Sequence, residues 1–272
     1  MPAEFPIRSR SGGHAIRNIL DWEHFAGPVS GDQWADGYSA LELARCWLEN
    51  EPINELRSIL DLVPELSTFT PELGVPEAKS SFDAYRGPRT HDLLLIGRAA
   101  DGRAVVAIEG KVNEPFGQTI DKYRAQAVRL LERNPRSKAQ ERLNALTGAL
   151  AGWKPSDVDD ERQKLRYQLF SAAAGTIAAA TDSGAGVAVF CVHELETPLS
   201  DPLARQRNAA DLEHFMRLVY PYAVRREATN GWVAGPVRVV NPSTRLSAGV
   251  GLYVAKMTTV VASHPTGPPP VS

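Results

Sequence analysis

Two apolar segments of strand length, residues 93–97 and 104–108, lie on either side of an Asp101-Gly102 dipeptide. An Asp-Gly pair between two hydrophobic runs is a strong signal for a β-hairpin. Successive residues of both segments are apolar, so each strand needs cover on both of its faces, as in the middle of a sheet between helices. The hairpin therefore restricts the chain to folds that are built around a covered central sheet.

The rest of the pattern alternates helices and strands around this hairpin. Apolar periodicity predicts helices from residue 39 onward and at 53–62, 118–133, 138–150, 160–180 and 211–220. Short apolar runs predict further strands near 79–85 and at 186–193, 232–240 and 250–256. This order indicates an α/β (α+β) fold with one central mixed β-sheet flanked by helices.

Three segments are expected along the chain. Residues 1–38, rich in Gly, Pro and turn formers, predict an irregular N-terminal arm with room for one short helix. Residues 39–262 then form a single domain with late strands as an elaboration, and residues 263–272 form a disordered tail.

Charge and composition exclude several classes of protein. Thirty basic and 32 acidic residues give a net charge of −2, so binding to nucleic acid would have to come from a local patch. Two cysteines are too few for a disulfide framework. No apolar leader precedes residue 14, and no stretch of membrane-spanning length is present, so we expect a cytoplasmic protein with no membrane partner.

Three charged residues stand at one end of the predicted hairpin. Asp92 opens the first strand, and Glu109 and Lys111 end the second, where strand alternation gives them a common face. A two-residue loop at Asp101-Gly102 would place Asp92 opposite Lys111 and beside Glu109, and a four-residue loop would place it opposite Glu109. Both registers bring the three side chains together, whereas a three- or five-residue loop would separate Asp92 from them.

Two carboxylates and one ammonium group are costly beside buried strands unless they serve a purpose. A pair of carboxylates suits Mg²⁺, and the carbonyl of Gly110 is a third candidate ligand. A metal there would activate water, and Lys111 would orient that water or stabilise developing negative charge. The alternative is a structural ion pair between Asp92 and Lys111, with Glu109 solvated.

A second acid-x-lysine triplet, Glu77-Ala78-Lys79, lacks this context. No apolar strand precedes it, and no aspartate is expected across a hairpin from it. We therefore interpret this triplet as a coincidence of composition.

The arrangement resembles the PD-(D/E)XK nuclease superfamily, which has the restriction-endonuclease-like fold. The resemblance covers residues 34–195, through the blocks WADGYSALELARCW, HDLLLIG, VVAIEGKVNEPFG, LRYQLFSAAAG and GVAVFCVH. It implies that Asp92 and Glu109 bind Mg²⁺ or Mn²⁺ and that Lys111 assists catalysis. In some members an acid of the first helix and a glutamine of a later helix join the site, which would be Glu42 and Gln168.

Both added residues have simpler interpretations. Ser39 and Glu42 have the spacing of a capping box, in which Glu42 would bind the first backbone amide of its own helix. Gln168 lies beside an apolar helical stripe and could hydrogen-bond a helix end.

A basic segment follows directly on the candidate site. Seven basic residues lie between Lys122 and Arg142 against Glu132 and Glu141, a local charge of +5. Lys122, Arg129 and Arg133 fall on one helical stripe that could follow a phosphate backbone. A solvated helix face is the alternative, and Tyr123 falls opposite the basic stripe, so stacking of bases has little support.

The sequence thus predicts a metal-dependent nuclease that acts on nucleic acid, with DNA as the expected substrate. A catalytically inactive nuclease-fold protein that binds nucleic acid or a protein partner is the alternative. A homodimer is compatible with either.

Overall fold

A computed structural model describes residues 5–10, 13–28, 31–50, 52–157 and 159–261. Within them the chain forms a seven-stranded mixed sheet with the order β1-β2-β3-β4-β7-β6-β5. The strands are β1 (Thr70–Ser80), β2 (Arg89–Ala99), β3 (Gly102–Lys111), β4 (Val187–Glu196), β5 (Arg225–Ala228), β6 (Gly231–Val237) and β7 (Gly251–Val260). β3, β4 and β7 run parallel to one another, and the other neighbours pair antiparallel. The predicted fold class, a mixed sheet flanked by helices, is confirmed.

Helices cover both faces of this sheet. They are α1 (Ile19–Ala26), α2 (Ser39–Arg45), α3 (Ile53–Leu60), α4 (Ile120–Arg133), α5 (Ala139–Ala151), α6 (Asp160–Gln163), α7 (Tyr167–Asp182) and α8 (Pro202–Val219). One apolar core lies between the sheet and α4, α5, α7 and α8, and a second lies between the opposite face and α1, α2 and α3. The apolar character of both faces of the central strands is explained by these two cores.

The first strand lies earlier than the sequence predicts. A strand was expected near residues 79–85, but β1 spans Thr70–Ser80 and includes Pro71 and Pro76. Proline cannot donate to a sheet, and β1 tolerates two because it is the edge strand of the sheet, where its outer side forms a short bridge between Gly74 and Ile7.

The helix predicted at 160–180 is interrupted. Residues near Leu165 exchange backbone hydrogen bonds with the start of α4: the Ile120 amide donates to the Leu165 carbonyl at 2.8 Å, and the Tyr167 amide donates to the Gln118 carbonyl at 3.1 Å. These contacts end α6 and allow α7 to begin afresh at Tyr167.

Two late elements also differ from expectation. The helix predicted at 211–220 begins already at Pro202, after Asp201 accepts a capping hydrogen bond from the Leu203 amide. The short strand β5 was not predicted, since its four residues carry little apolar pattern.

The start of α2 is as predicted, but the capping box is wrong. The N-cap is Tyr38, which makes no side-chain capping hydrogen bond. The Ser39 amide donates instead to Glu114 Oε1 at 2.7 Å, from the loop that follows β3. Glu114 therefore ties the start of α2 to the end of β3, a contact across the fold that no local pattern shows.

The N-terminal segment contributes to the second core. Within the described part of residues 1–38, α1 buries Trp22, and Phe5 and Ile7 are buried with it. The predicted tail 263–272, together with residue 262, lies outside the described residues. Among the helices of the described ranges, none has the length and apolarity needed to cross a membrane.

A single glycine sets how closely α7 approaches the sheet. A methyl group at Gly175 would lie 2.8 Å from Arg89 Cγ and 3.0 Å from His91 Cε1, at the start of β2. Such contacts are too short for carbon atoms, so only glycine permits this approach. Small buried residues on the same helix, Ala172, Ala173 and Ala174, extend the contact.

We predict that Gly175→Ala lowers the free energy of unfolding by about 1–3 kcal/mol, because overpacking outweighs the helix propensity that alanine adds. Gly148→Ala in α5 is the matched control, since its methyl group would meet only the Trp153 carbonyl oxygen at 3.5 Å. The control should be neutral or stabilising by up to about 1 kcal/mol. Urea unfolding of both variants would measure this difference, and equal effects would contradict the tight packing of α7.

Candidate active site

The pairing of the β2–β3 hairpin ends one residue before Asp92 and Glu109. Leu93 pairs with Ile108 and Ala99 with Gly102, and the next position in this register would set the backbones of Asp92 and Glu109 opposite each other. This is one of the two predicted registers, although the turn is formed by Ala100 and Asp101 and not by a four-residue loop.

The Glu109 carboxylate is the centre of the site. Its Oε1 accepts hydrogen bonds from Lys111 Nζ at 2.7 Å and from Gln168 Nε2 at 2.6 Å. Its Oε2 forms an ion pair with Arg89. Glu109 and Lys111 are 3% and 5% exposed, so these charges neutralise one another with little help from water.

Two structural elements deliver Lys111 and Gln168 to this carboxylate. Lys111 follows Glu109 by two residues on β3, so strand alternation gives both the same face. Gln168 lies in the first turn of α7, and the close packing of α7 against β2 and β3 brings its amide to the sheet. Lys111 Nζ also lies 5.2 Å from the centre of the Phe116 ring.

Asp92 contacts the same segment through the backbone. Its Oδ2 accepts a hydrogen bond from the Gly110 amide at 2.8 Å, between the two charged residues of β3. Burial, and then the negative charge of Glu109, raise the pKa of Asp92 to about 7. For Glu109, burial alone would raise the pKa, but Arg89 and Lys111 outweigh it and hold the pKa below its usual value. The protein thus favours the protonated form of Asp92 and the ionised form of Glu109, relative to ordinary carboxyl groups.

Arg89 is a site residue that the sequence did not indicate. Strict alternation would place Arg89 and His91 on the opposite face from Asp92, but both lie against Gly175 of α7. Leu93 nevertheless packs in the core on the other face of the sheet. The alternation of side chains between the two faces of β2 therefore breaks at Asp92. The neighbouring part of β1 is irregular as well.

Glu77 explains this irregularity. In the β1–β2 register Pro76 pairs with Leu93 and Ala78 with His91, which places Glu77 opposite Asp92. Its φ of 51° is in the left-handed region, which is uncommon outside glycine. Burial, and then the charge of Glu109, raise the pKa of Glu77 to about 7. The triplet that we interpreted as a coincidence therefore contributes a carboxyl group beside the site.

His91 is a buried, neutral neighbour. It is 2% exposed, and its Nε2 lies 3.1 Å from Ser80 Oγ. Burial, and then the positive charge of Arg89, lower the pKa of His91 to about 3. It therefore supports the start of β2 without adding charge near neutral pH.

Glu42 is not brought into contact with this cluster. Its Oε1 accepts a hydrogen bond from the Gly37 amide at 3.0 Å and lies 3.4 Å from Arg45 NH1. Both contacts are local to α2, so the structure gives no support to Glu42 as a metal ligand.

The predicted basic stripe lies at the surface. Lys122, Arg129 and Arg133 are exposed on α4, while Ile120 and Ala127 are buried. Leu130 of the same helix is 41% exposed, so the apolar side of α4 is covered only in part.

The available donor atoms are of the chemical type that binds Mg²⁺. Asp92 and Glu109 supply carboxylate oxygens, and Mg²⁺ commonly uses one or two of these, with water and phosphate completing its shell. In the described ranges no group of three His, Cys, Asp or Glu side chains is arranged to hold a metal, so a cation would depend on those two. Arg89 already pairs with Glu109 Oε2 and would have to move to admit it.

Comparison with known proteins identifies a family. A family model described as Domain of unknown function (DUF6946) matches residues 15–260, and the chain belongs to this family. No curated protein and no solved structure matches the chain.

We predict that Asp92→Asn stabilises the protein progressively as the pH rises. The folded pKa of about 7 lies above the ordinary value of 3.8, so the wild-type protein loses stability from this group between those pH values. Asparagine cannot ionise and still accepts the Gly110 hydrogen bond. Urea unfolding from pH 4 to pH 8 should show the variant gaining on the order of 3 kcal/mol relative to wild type. A difference that does not change with pH would contradict this assignment.

Whereas Asp92→Asn should stabilise the protein, Glu109→Gln should destabilise it. The loss of this carboxylate leaves Arg89 and Lys111 unpaired, so we expect a loss of about 3–5 kcal/mol at neutral pH. Because the folded pKa of Glu109 is lowered, its contribution is present above its ordinary value of 4.5 and is lost as the pH falls below it. The deficit should therefore shrink in acid, and a deficit that grows in acid would exclude Glu109 as the anionic centre.

Proposed function

We propose that this member of the DUF6946 family is a metal-dependent nuclease that hydrolyses phosphodiester bonds of nucleic acid, with DNA as the expected substrate. The observation that supports it best is the double contact on Glu109 Oε1, to which Lys111 Nζ and Gln168 Nε2 donate at 2.7 and 2.6 Å. These residues, together with Asp92 beside them, are those that the sequence resemblance indicates. Cytoplasmic location is part of the proposal and rests on the sequence alone.

In this proposal Asp92 and Glu109 hold Mg²⁺ or Mn²⁺, with the Gly110 carbonyl as a further donor. When bound, the ion would lower the pKa of a water molecule and offset charge on the phosphate.

The protein's own residues have distinct roles. Lys111, fixed by Glu109 and by the Phe116 ring, places a positive charge where a phosphodiester becomes more negative during the reaction. Gln168 fixes the orientation of the Glu109 carboxylate from α7. Arg89 can exchange its contact with Glu109 for one with a phosphate, since guanidinium groups bind both.

The same site also favours a second candidate function. Arg89 and Lys111 already balance the charge of Glu109, and together with the hydrogen bond from Gln168 they use both of its oxygens. A nuclease-fold protein without catalytic activity, which binds nucleic acid or a protein partner, would retain this arrangement as a structural ion pair.

The test of the proposal is cleavage by the purified protein. Plasmid, linear and single-stranded DNA and RNA would be incubated with Mg²⁺ or Mn²⁺, using wild type, Asp92→Ala and Lys111→Ala. We expect metal-dependent cleavage that falls about 100-fold or more in both variants. Lys79→Ala, an exposed lysine of the other acid-x-lysine triplet, is the control and should cleave like wild type.

Circular dichroism would verify that each variant is folded. A wild type that cleaves none of these substrates would contradict the nuclease and favour the binding protein. Full activity in Lys111→Ala would exclude the proposed site.

A second prediction concerns Arg89 and does not depend on activity. Arg89→Gln frees Glu109 Oε2, so Mn²⁺ should bind more tightly to the variant than to wild type. A tenfold gain in affinity adds about 1.4 kcal/mol, which raises the melting temperature in saturating Mn²⁺ by roughly 3–6 °C. Thermal unfolding with Mn²⁺ and with EDTA would measure the gain.

Arg98→Gln is the matched control, because Arg98 lies on the same strand and pairs with Glu72 at the surface. The difference between its melting temperatures in Mn²⁺ and in EDTA should equal that of wild type. An Arg89→Gln variant with no stabilisation by Mn²⁺ would contradict the metal site.

A further inference from the structure

A groove opens beside the candidate site, between the loop at residues 81–88 and helices α4 and α5. Its volume is about 490 Å³, and two alanines complete its lining. The other lining residues are Tyr85, Arg86, Tyr123, Arg136, Lys138 and Arg142. It therefore combines aromatic and basic side chains and has no acidic residue in its lining.

Arg142 holds the wall of this groove in place. Its guanidinium lies 4.6 Å from the centre of the Phe82 ring, and it donates to the Arg86 and Gly87 carbonyls at 3.2 and 2.8 Å. It also lies 2.7 Å from Asp83. These contacts use Arg142 to fix the loop, so the groove exists before any partner binds.

Three other cations of the groove remain available to a partner. Of the residues that the structure describes, no carboxylate forms a salt bridge with Arg86 or Arg136, and both are exposed. Lys138 pairs with Glu141 at 2.7 Å, but both side chains are more than half exposed, where such a pair is weak. The groove is thus complementary to an anionic chain.

The groove is connected to the candidate site through two tyrosines. The ring of Tyr123 stacks on that of Tyr167 with centroids 3.9 Å apart. Tyr167 directly precedes Gln168, which donates to Glu109 Oε1. A chain lying in the groove would therefore contact Tyr123, which stacks on the residue that precedes this glutamine.

We propose that this groove binds a single-stranded segment of nucleic acid and leads it to the Glu109 cluster. Arg86, Arg136 and Lys138 bind backbone phosphates, and Tyr85 stacks with a base, which must be unpaired to expose its face. The binding stands on the groove itself, while delivery to the cluster rests on the proposed nuclease function. The exposed stripe of Lys122, Arg129 and Arg133 is a separate surface in this proposal.

Fluorescence anisotropy with a labelled 20-nucleotide single strand and its duplex tests the proposal with the full chain. Arg86→Gln/Arg136→Gln should weaken single-strand binding at least tenfold and lower the slope of log affinity against log salt by about 0.7 for each contact removed. Tyr85→Leu should weaken it about tenfold, whereas Tyr85→Phe, which keeps the ring, should bind like wild type.

Two double variants with the same charge change are the comparison. Lys154→Gln/Arg238→Gln removes exposed cations elsewhere, and Lys122→Gln/Arg129→Gln removes the α4 stripe. The first should bind nearly like wild type, and the second should lose much less affinity than the groove variant. If either weakens binding as much as the groove variant does, the groove is not the binding site.

Two further outcomes would overturn the proposal. In the first, the protein binds the duplex as tightly as the single strand, and Tyr85→Leu does not change either affinity. In the second, polyglutamate of equal charge displaces the single strand, and Tyr85→Leu again does not change binding, which would indicate an acidic protein partner.

The same variants separate this inference from the nuclease. If the wild type binds single strands through the groove but never cleaves them, the groove proposal is supported and the nuclease proposal is contradicted. If all groove variants cleave single strands as the wild type does in the presence of metal, only the groove proposal is contradicted.

Discussion

The Glu109 carboxylate is the interaction on which the site depends. It lies at the end of β3 with almost no exposure. Its charge is balanced by Lys111 from its own strand and Arg89 from β2, and Gln168 from α7 donates a hydrogen bond to it. A buried carboxylate with these partners is stable only if three elements meet at fixed distances. The hairpin register, the close approach of α7 at Gly175 and the irregular start of β2 together provide that geometry.

This arrangement separates the charge states of neighbouring carboxyl groups. Glu109 remains ionised because two cations face it, whereas burial and the Glu109 charge raise the pKa of Asp92 and of Glu77 to about 7. Neighbouring acids whose pKa values are shifted in opposite directions are common in functional sites. Such sites hold buried charges that do not help the protein to fold. The shifted pKa values of these acids therefore mark the cluster as a candidate functional site.

Local pattern predicted the central hairpin, the main helices and the common face of Glu109 and Lys111 on β3, because strand alternation and turn chemistry act over a few residues. It missed Arg89 because alternation breaks at Asp92, opposite the left-handed Glu77. Within the basic segment after β3 the one aromatic residue is Tyr123, and local pattern could not show that Tyr85 reaches Arg136 and Lys138 from a loop far earlier in the chain. The capping box expected at Ser39 and Glu42 was wrong because Glu114, from the loop after β3, accepts the hydrogen bond of the Ser39 amide.

The central claim is that Asp92 and Glu109 form a cation site beside Lys111. The most direct measurement is the binding of Mn²⁺ to the purified protein, followed by electron paramagnetic resonance of the free ion. Wild type should bind one Mn²⁺ per chain, Glu42→Gln should bind it equally, and Glu109→Gln should lose it. Absence of binding in wild type, or binding that persists in folded Glu109→Gln, would contradict the claim.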